Sequence, residues 1–269
     1  MNNNFYFKEP FSNIYKSPNR RSEVTSQILY GERFKILSKR KGWIKIKLLY
    51  DKYVGFIKNK NYVSELKISH KVSTIQANIY NKPNNKRNNK TQKTLPFGSK
   101  LSVIERRNRF VRYENNKWLK LKDIRKINHK EKKFIKIFKT FLKTKYVWGG
   151  KTSSGIDCSA LLQIFFYYNN LFYPRDTKDQ INYSINKTTK QFSKGDIIFW
   201  KGHVAICINS LQLIHAYGPE KKVLIMPIKK TILRILKTAN LKVKKNLKYK
   251  DLTSTKIWFV CILFQQNNF

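Results

Sequence analysis

In the run YVWGGKTSSGIDCSALLQ, from Tyr146 to Gln163, a cysteine follows an aspartate and opens an apolar stretch. Gly155 breaks the chain just ahead, and Asp157 is a favoured type for a helix N-cap. The pattern predicts a helix with Cys158 in its first turn. Partial positive charge at a helix N-terminus favours a thiolate, which lowers the thiol pKa and makes the sulfur a nucleophile. The competing interpretation is a small buried core residue, as most free cysteines are. The histidines bear on the choice. The chain has four, His70, His129, His203 and His215, and the last two follow Cys158 in β-like segments. His203 opens HVAICIN and His215 closes LQLIHA, with a polar break at Asn209 and Ser210 that signals a hairpin. A two-residue loop there sets the rings on opposite faces. A three-residue loop, Ile208 to Ser210, pairs His203 directly with His215 and puts both rings on one face. We expect that register, or another that brings the rings together. One imidazole then acts as base for Cys158 and the other orients it.

The blocks Y-V-W-G-G (from Tyr146), D-C-S (from Asp157), L-x-x-P-R-D-T-x-x-Q (Leu171 to Gln180), K-G-D-I-I-F-W, G-H-V and I-H-A resemble the NlpC/P60 cysteine peptidases in order and spacing. The resemblance covers about half the chain, from near His129 to the C-terminus. It implies a papain-like α+β fold with a Cys-His-His site. Cys158 is then the nucleophile, His203 the general base and His215 the third, orienting member. Tyr146, Asp157, Ser159 and Thr177 match positions that line the family's substrate pocket. Ala160 stands where the commoner pattern has glycine after D-C-S; alanine is small and a good helix former, so the site is expected to tolerate it. Arg175 either contacts a substrate carboxylate in bidentate fashion or pairs with Asp176 or another acid. Asp176 and Asp196 could be mistaken for a catalytic dyad, but Asp196 reads as a turn residue before a strand.

The elements that must position these groups fall into three stretches. Residues 1–68 read as short strands with breaks at Gly31, Gly42 and Asp51, alternating well at WIKIKL. Residues 69–128 repeat that pattern. Leu95-Pro96-Phe97-Gly98 answers Leu29-Tyr30-Gly31, and Trp118 answers Trp43. Both stretches resemble bacterial SH3-like β-barrels. Asn81 to Lys93 is a polar, low-complexity loop expected to be mobile. Residues 129–269 form the peptidase domain. Within it, Glu131 to Thr144 has apolar residues at Phe134, Ile137, Phe138, Phe141 and Leu142, which is helical spacing with one apolar face. That face covers the domain, with binding to a membrane surface the alternative.

Composition limits the function. Lys and Arg total 57 against 15 Asp and Glu, a formal net charge of +42. The balance fits a polyanion partner, or a drift toward Lys, Asn and Ile over the whole surface, and the even spread of lysines favours drift. No zinc finger, RNP signature or Gly-rich phosphate loop argues for specific nucleic-acid binding. No Cys/His spacing suggests a metal, and no cofactor is implied. The three cysteines, an odd number, argue against a disulfide framework; Cys207 and Cys261 read as inert core residues. No apolar run approaches the ~20 residues that cross a bilayer, and WFVCILF reads as a buried strand. MNNNFYFKEPF lacks the features of a secretory signal, so a cytoplasmic enzyme is expected.

SH3-like units joined to an NlpC/P60 domain resemble γ-D-glutamyl-L-diamino-acid endopeptidases that trim peptidoglycan stem peptides or murein fragments. In such enzymes the first SH3-like domain can wall off the pocket and bind the free amine of an N-terminal L-Ala. Asp51 and Tyr53 are candidates for that contact, the alternative being a turn residue and a barrel-core aromatic. Two rival functions stand beside this one. One is a non-catalytic SH3-like module binding anionic polymers, and the other a thiol-dependent acyltransferase or amidase on the same scaffold. Neither the oligomeric state nor the preferred diamino acid is legible.

Overall fold

The computed structural model describes residues 4–186 and 191–248. The first stretch holds β1 (Asn4–Phe7), β2 (Phe11–Tyr15), β3 (Val24–Leu29), β4 (Arg33–Arg40), β5 (Trp43–Leu48), β6 (Val54–Lys58) and β7 (Tyr62–Val63). They pair antiparallel in the order β3-β2-β6-β5-β4-β1-β7. In β5 the period of two works as expected: Ile44, Ile46 and Leu48 are buried while Lys45 and Lys47 are half-buried. Those three residues join Phe7, Ile14, Ile28, Phe34 and Ile57 in a small core.

The second stretch holds β8 (His70–Val72), β9 (Gln76–Tyr80), β10 (Lys90–Pro96), β11 (Lys100–Leu101), β12 (Glu105–Arg107), β13 (Phe110–Glu114), β14 (Lys117–Lys120) and β15 (Ile124–Lys126). One sheet runs β10-β9-β14-β13-β12 and a second β11-β8-β15. The first follows the neighbour order β3-β2-β6-β5-β4. The strand equivalent to β4 is broken into β11 and β12, which splits one sheet into two. This alignment corrects the expected pairing of tryptophans. Trp43 follows a tight turn and pairs with Arg40, as Phe110 pairs with Arg107. Trp118 pairs with Tyr80 as Phe56 pairs with Tyr15, so Phe110 is the counterpart of Trp43 and Trp118 that of Phe56. The polar stretch from Asn81 is also shorter than expected, because β10 begins at Lys90.

The third stretch holds α1 (Phe134–Thr140), β16 (Lys151–Thr152), β17 (Gly155–Ile156), α2 (Cys158–Tyr168), α3 (Thr177–Tyr183), β18 (Ile185–Asn186), β19 (Asp196–Trp200), β20 (His203–Cys207), β21 (Gln212–Tyr217), β22 (Lys222–Pro227), α4 (Ile228–Ala239) and β23 (Lys245–Lys248). Their sheet runs β18-β23-β19-β20-β21-β22. Every residue of α2 is buried, which is how a helix apolar on all sides must sit. One face of the sheet, through Ile197, Phe199, Val204, Ile206 and Ile214, packs on α2. The other, through Ile198, Ala205, Cys207 and Leu213, packs on Ile228 and Ile235 of α4. Full burial of each large apolar side chain contributes about 1.5–3 kcal/mol, so α2 is the keel of this domain. Phe134 and Phe138 of α1 pack edge-on against Phe165 of α2, so its apolar face covers the domain. The helix is shorter than expected, ending at Thr140.

Both strand-rich stretches dock on this body. Leu29 and Phe97, each in the turn segment of its own unit, enter the α2 core, and Phe97 stacks on Tyr168 at 4.8 Å. Gly31, at φ +73°, lies so close to Lys100 that a Cβ there would sit 1.8 Å from its carbonyl oxygen. Lys151 and Glu32 form a fully buried ion pair at 3.1 Å between the first unit and the α/β body. Among the described residues no helix is long and apolar enough to cross a membrane. Cys261 and WFVCILF lie outside the described residues; Cys207 is a buried free thiol in the sheet core.

Candidate active site

Asp157 caps α2 by accepting from the Ala160 N–H at 2.8 Å, which places Cys158 at the first helical position. Its second oxygen accepts from the Gly149 N–H at 3.0 Å. Gly149 has φ +73°, and a Cβ there would meet the Val24 carbonyl oxygen at 2.4 Å. The W-G-G turn therefore needs glycine for both conformation and approach.

Arg175 closes this knot. Its guanidinium donates to both Asp157 oxygens, at 2.7 and 3.0 Å, to the Ser159 hydroxyl at 2.8 Å and to the Ser26 hydroxyl of β3 at 3.0 Å. Of the two roles expected for Arg175, pairing with an acid is the observed one, and the acid is Asp157. The group is 3% exposed and does not face the cleft, which corrects its assignment as a substrate contact. Asp51 is likewise engaged elsewhere. Its carboxylate accepts from Gln163 of α2 at 2.9 Å and from the Tyr53 N–H at 3.0 Å, so it is a turn and docking residue rather than a pocket acid.

A cleft of about 670 Å³ opens above the start of α2. Cys158 is 3% exposed and forms part of its floor with Asp157 and Ser159. Thr177 lines it, as do Asp176, Trp148, Trp200, and Glu23, Thr25 and Tyr53 from the first unit. Tyr53 has both roles considered for it, packing against the core of the first unit and facing the cleft, with its hydroxyl on the Thr25 carbonyl at 3.3 Å. Tyr146 is half-buried. Desolvation and the nearby Cys158 and Asp157 push its phenol well above the ordinary range, keeping it a neutral donor.

The hairpin register differs from the directly paired one. Ile206 pairs with Ile214 and Cys207 with Leu213, and the three-residue loop is Asn209 to Leu211. His203 and His215 are then diagonal neighbours on one face. His203 Nε2 lies 3.0 Å from His215 Nδ1. His215 is fully buried, with Nε2 3.3 Å from Met226 Sδ and its ring stacked on Tyr217 at 4.7 Å. A proton on His215 Nε2, facing sulfur, leaves Nδ1 free to accept from His203. Trp200 links the pair to the cleft, with its ring centroid 5.5 Å from that of His203.

The sulfur rests against the peptide groups on either side of His203. Sγ lies 4.0 Å from the Gly202 carbonyl oxygen, and the Val204 and Ser159 amides hydrogen-bond to it. Among the described residues no hydrogen bond joins Cys158 directly to His203. Burial, then the Asp157 charge, push the thiol up to about 12, against the partial relief from those amides and Arg175. Burial pushes His203 down to about 4 and His215 well below the usual range. The expected helix-lowered thiolate is therefore corrected. Desolvation outweighs the helix terminus, and the resting pair is neutral thiol and neutral imidazole.

Sequence reasoning undervalued Asp176. It lines the cleft, with no side-chain hydrogen bond or ion pair among the described residues, and burial raises its carboxyl pKa. The signal lay in P-R-D-T: with Arg175 turned inward to Asp157, its neighbour turns outward. Asp196 accepts from the Ser193 N–H and hydroxyl at 2.7 and 3.1 Å as a turn residue, outside the cleft. Among the described residues no His/Cys/Asp/Glu group could hold a metal.

The NlpC/P60 family model matches residues 143–238, and the model of the bacterial dipeptidyl-peptidase Sh3 domain matches residues 14–61. Dipeptidyl-peptidase 6 of Lysinibacillus sphaericus is 25% identical over 232 residues, covering 76% of this chain and 84% of that protein. The γ-D-glutamyl-L-lysine dipeptidyl-peptidase of Bacillus subtilis is 22% identical over 235 residues, covering 78% and 77%. The solved structure of an NlpC/P60 family protein from Bacillus cereus superposes with a TM-score of 0.71 at 19% identity, covering 84% of this chain and 94% of that one. The cysteine at the head of a buried helix, the block order around it and these matches together make the chain a peptidase of the NlpC/P60 family, carrying a bacterial SH3 domain ahead of its catalytic domain.

Proposed function

We propose that the chain hydrolyses the γ-D-glutamyl–diamino-acid amide of peptidoglycan stem peptides or murein fragments, releasing an N-terminal L-Ala-D-Glu dipeptide. The observation that carries this is the placement of Cys158 on the floor of a cleft walled by the first strand-rich unit, next to the linked His203–His215 pair. The wall leaves a closed end where Glu23, Tyr53 and the unpaired Asp176 gather, suited to a free ammonium. The dipeptidyl-peptidase names of the relatives fit a substrate of that length. We assign the second strand-rich unit as a further SH3-like barrel, on its shared strand order.

In the proposed reaction His203 takes the thiol proton as Cys158 attacks the scissile carbonyl, and its Nε2 donates to His215 Nδ1. Docking of substrate and exclusion of water bring the ring and sulfur into hydrogen-bond reach, since such contacts tighten in the Michaelis complex. The oxyanion is held by the Cys158 N–H at the first helical position and by the Tyr146 hydroxyl. His203 then protonates the leaving amine, and water resolves the thioester. Asp157, Ser159 and Arg175 act as positioning residues, while Thr177 lines the acyl side.

Incubation with L-Ala-γ-D-Glu-L-Lys and its meso-diaminopimelate counterpart, followed by mass analysis, is expected to yield L-Ala-D-Glu and the free diamino acid. Cys158→Ala is expected to lower kcat at least ~10³-fold with folding intact. Intact substrates after incubation with the wild type, or turnover by the alanine variant, would overturn this reading. Transfer of the acyl group to an added amine in preference to water would favour the acyltransferase alternative. His215→Phe is expected to slow turnover less than His203→Ala. N-acetylation of the L-Ala is expected to cost ~10²-fold in kcat/KM if the ammonium site is used.

A further inference from the structure

The charges around the cleft are sorted, and the sorting bears on the diamino acid. At the end walled by the first unit stand Glu23 and Asp176. Two lysines share that end and partly balance the acids. Lys16 Nζ lies 3.9 Å from Glu23, and Lys178 follows Asp176 and lowers its carboxyl pKa against burial. The opposite end is formed by Trp200, Lys201, Gly202 and Lys244. Lys201 and Gly202 are the tight turn between β19 and β20, fixed by the Trp200–His203 pair. Lys244 is tied beside it by its N–H to the Phe199 carbonyl at 2.8 Å. Both lysines are exposed, neither makes an ion pair among the described residues, and no acid lines that end.

The sulfur lies between the two ends, 4.0 Å from the Gly202 carbonyl oxygen. If the N-terminal ammonium docks at the acidic end, as proposed above, the acyl group spans from there to Cys158. The leaving residue then extends over the turn that carries Lys201. We infer that Lys201 and Lys244 select a leaving diamino acid with an additional carboxylate, so that the enzyme prefers meso-diaminopimelate to L-lysine. Lysine brings a bare distal ammonium toward two uncompensated cations. Diaminopimelate brings an ammonium with a carboxylate on the same carbon, which cancels the repulsion and offers each lysine an acceptor. Exposed contacts of this kind are individually small, so the preference is expected to be about five- to tenfold in kcat/KM. It is also expected to shrink as salt shortens the screening length.

This inference rests on the proposed activity, and the test separates the two. The full chain is assayed with L-Ala-γ-D-Glu-L-Lys and L-Ala-γ-D-Glu-meso-diaminopimelate, as wild type, Lys244→Glu and Lys201→Glu. Lys244→Glu lies away from the catalytic turn and serves where Lys201→Glu perturbs folding. The expected result is faster cleavage of the diaminopimelate substrate by wild type, with the preference lost or reversed in the variants and weakened by salt. Equal cleavage, a preference for lysine, or a preference unchanged in both variants would overturn the inference while leaving the peptidase activity standing. Cleavage of neither substrate would overturn the activity itself, and the inference with it.

Discussion

The two strand-rich units share a strand order yet touch opposite ends of α2, and they do different work there. The first reaches the N-terminal end, where Ser26 meets Arg175 and where Glu23, Thr25 and Tyr53 wall the cleft. The second contributes no residue to that cleft. It holds the C-terminal end: Lys71, fully buried, donates to the Tyr168 and His129 carbonyl oxygens at 2.5 and 2.6 Å, and Phe97 stacks on Tyr168. A cation at a helix C-terminus is placed where the carbonyls are unsatisfied and the dipole is negative. Burial, with Lys130 and Lys100 nearby, holds the Lys71 amine down to about 7, so it can stay in the interior uncharged. The same scaffold is thus a pocket wall in one copy and a buttress in the other. Position along the helix, not strand topology, separates the roles.

The comparison can be broken most forcefully at the N-terminal end. Arg175→Met strands the buried Asp157 carboxylate and severs the first unit from α2. We expect a loss of about 3–5 kcal/mol in chemical denaturation, with activity falling alongside. A variant that keeps both would mean the knot positions nothing. Next comes Asp176→Asn, expected to raise KM about ten- to hundredfold for a free-amine substrate with Tm nearly unchanged, the two readouts separating docking from structure. At the other end, Lys71→Met leaves two buried carbonyls without a donor and should cost about 1–3 kcal/mol of stability. Its folded fraction should show wild-type kcat/KM, and a specific loss of activity would erase the contrast between the units.

The smallest effect concerns the thiol. With Cys158 pushed up to about 12 and His203 down to about 4, the thiolate is the minor form at neutral pH. Each unit of pH below 12 raises the thiolate fraction about tenfold, so alkylation by iodoacetamide should climb at that rate from pH 7 to 9. A fast, flat profile would instead indicate a thiolate–imidazolium pair already formed. In the acid direction, kcat/KM should fall only as the pH approaches about 4, where His203 becomes protonated and can no longer accept.

Much of the site was legible because it is local. Asp157 ahead of an apolar run places Cys158 at a helix start by backbone chemistry alone, and the two-residue period of a strand restricts His203 and His215 to a shared face or opposite ones. The strand alternation of WIKIKL needed no partner to be read. What stayed hidden depends on neighbours distant in the chain. The loop that sets the hairpin register moved to Asn209–Leu211, so the rings meet diagonally. Trp118 could be matched to Phe56 only through its partner strand.

Electrostatics were the least legible part. A helix N-terminus lowers a thiol pKa when water still reaches it, but the desolvation that raises it depends on everything packed around the sulfur. Whether Arg175 meets a substrate or Asp157, and whether Asp51 or Asp176 faces the cleft, depends on which surface of the first unit is pressed against α2. Side-chain type and spacing name the groups able to do chemistry here. Only the packing of separate units against one helix distributes them between cleft and interior, because burial and pairing are properties of the assembled whole.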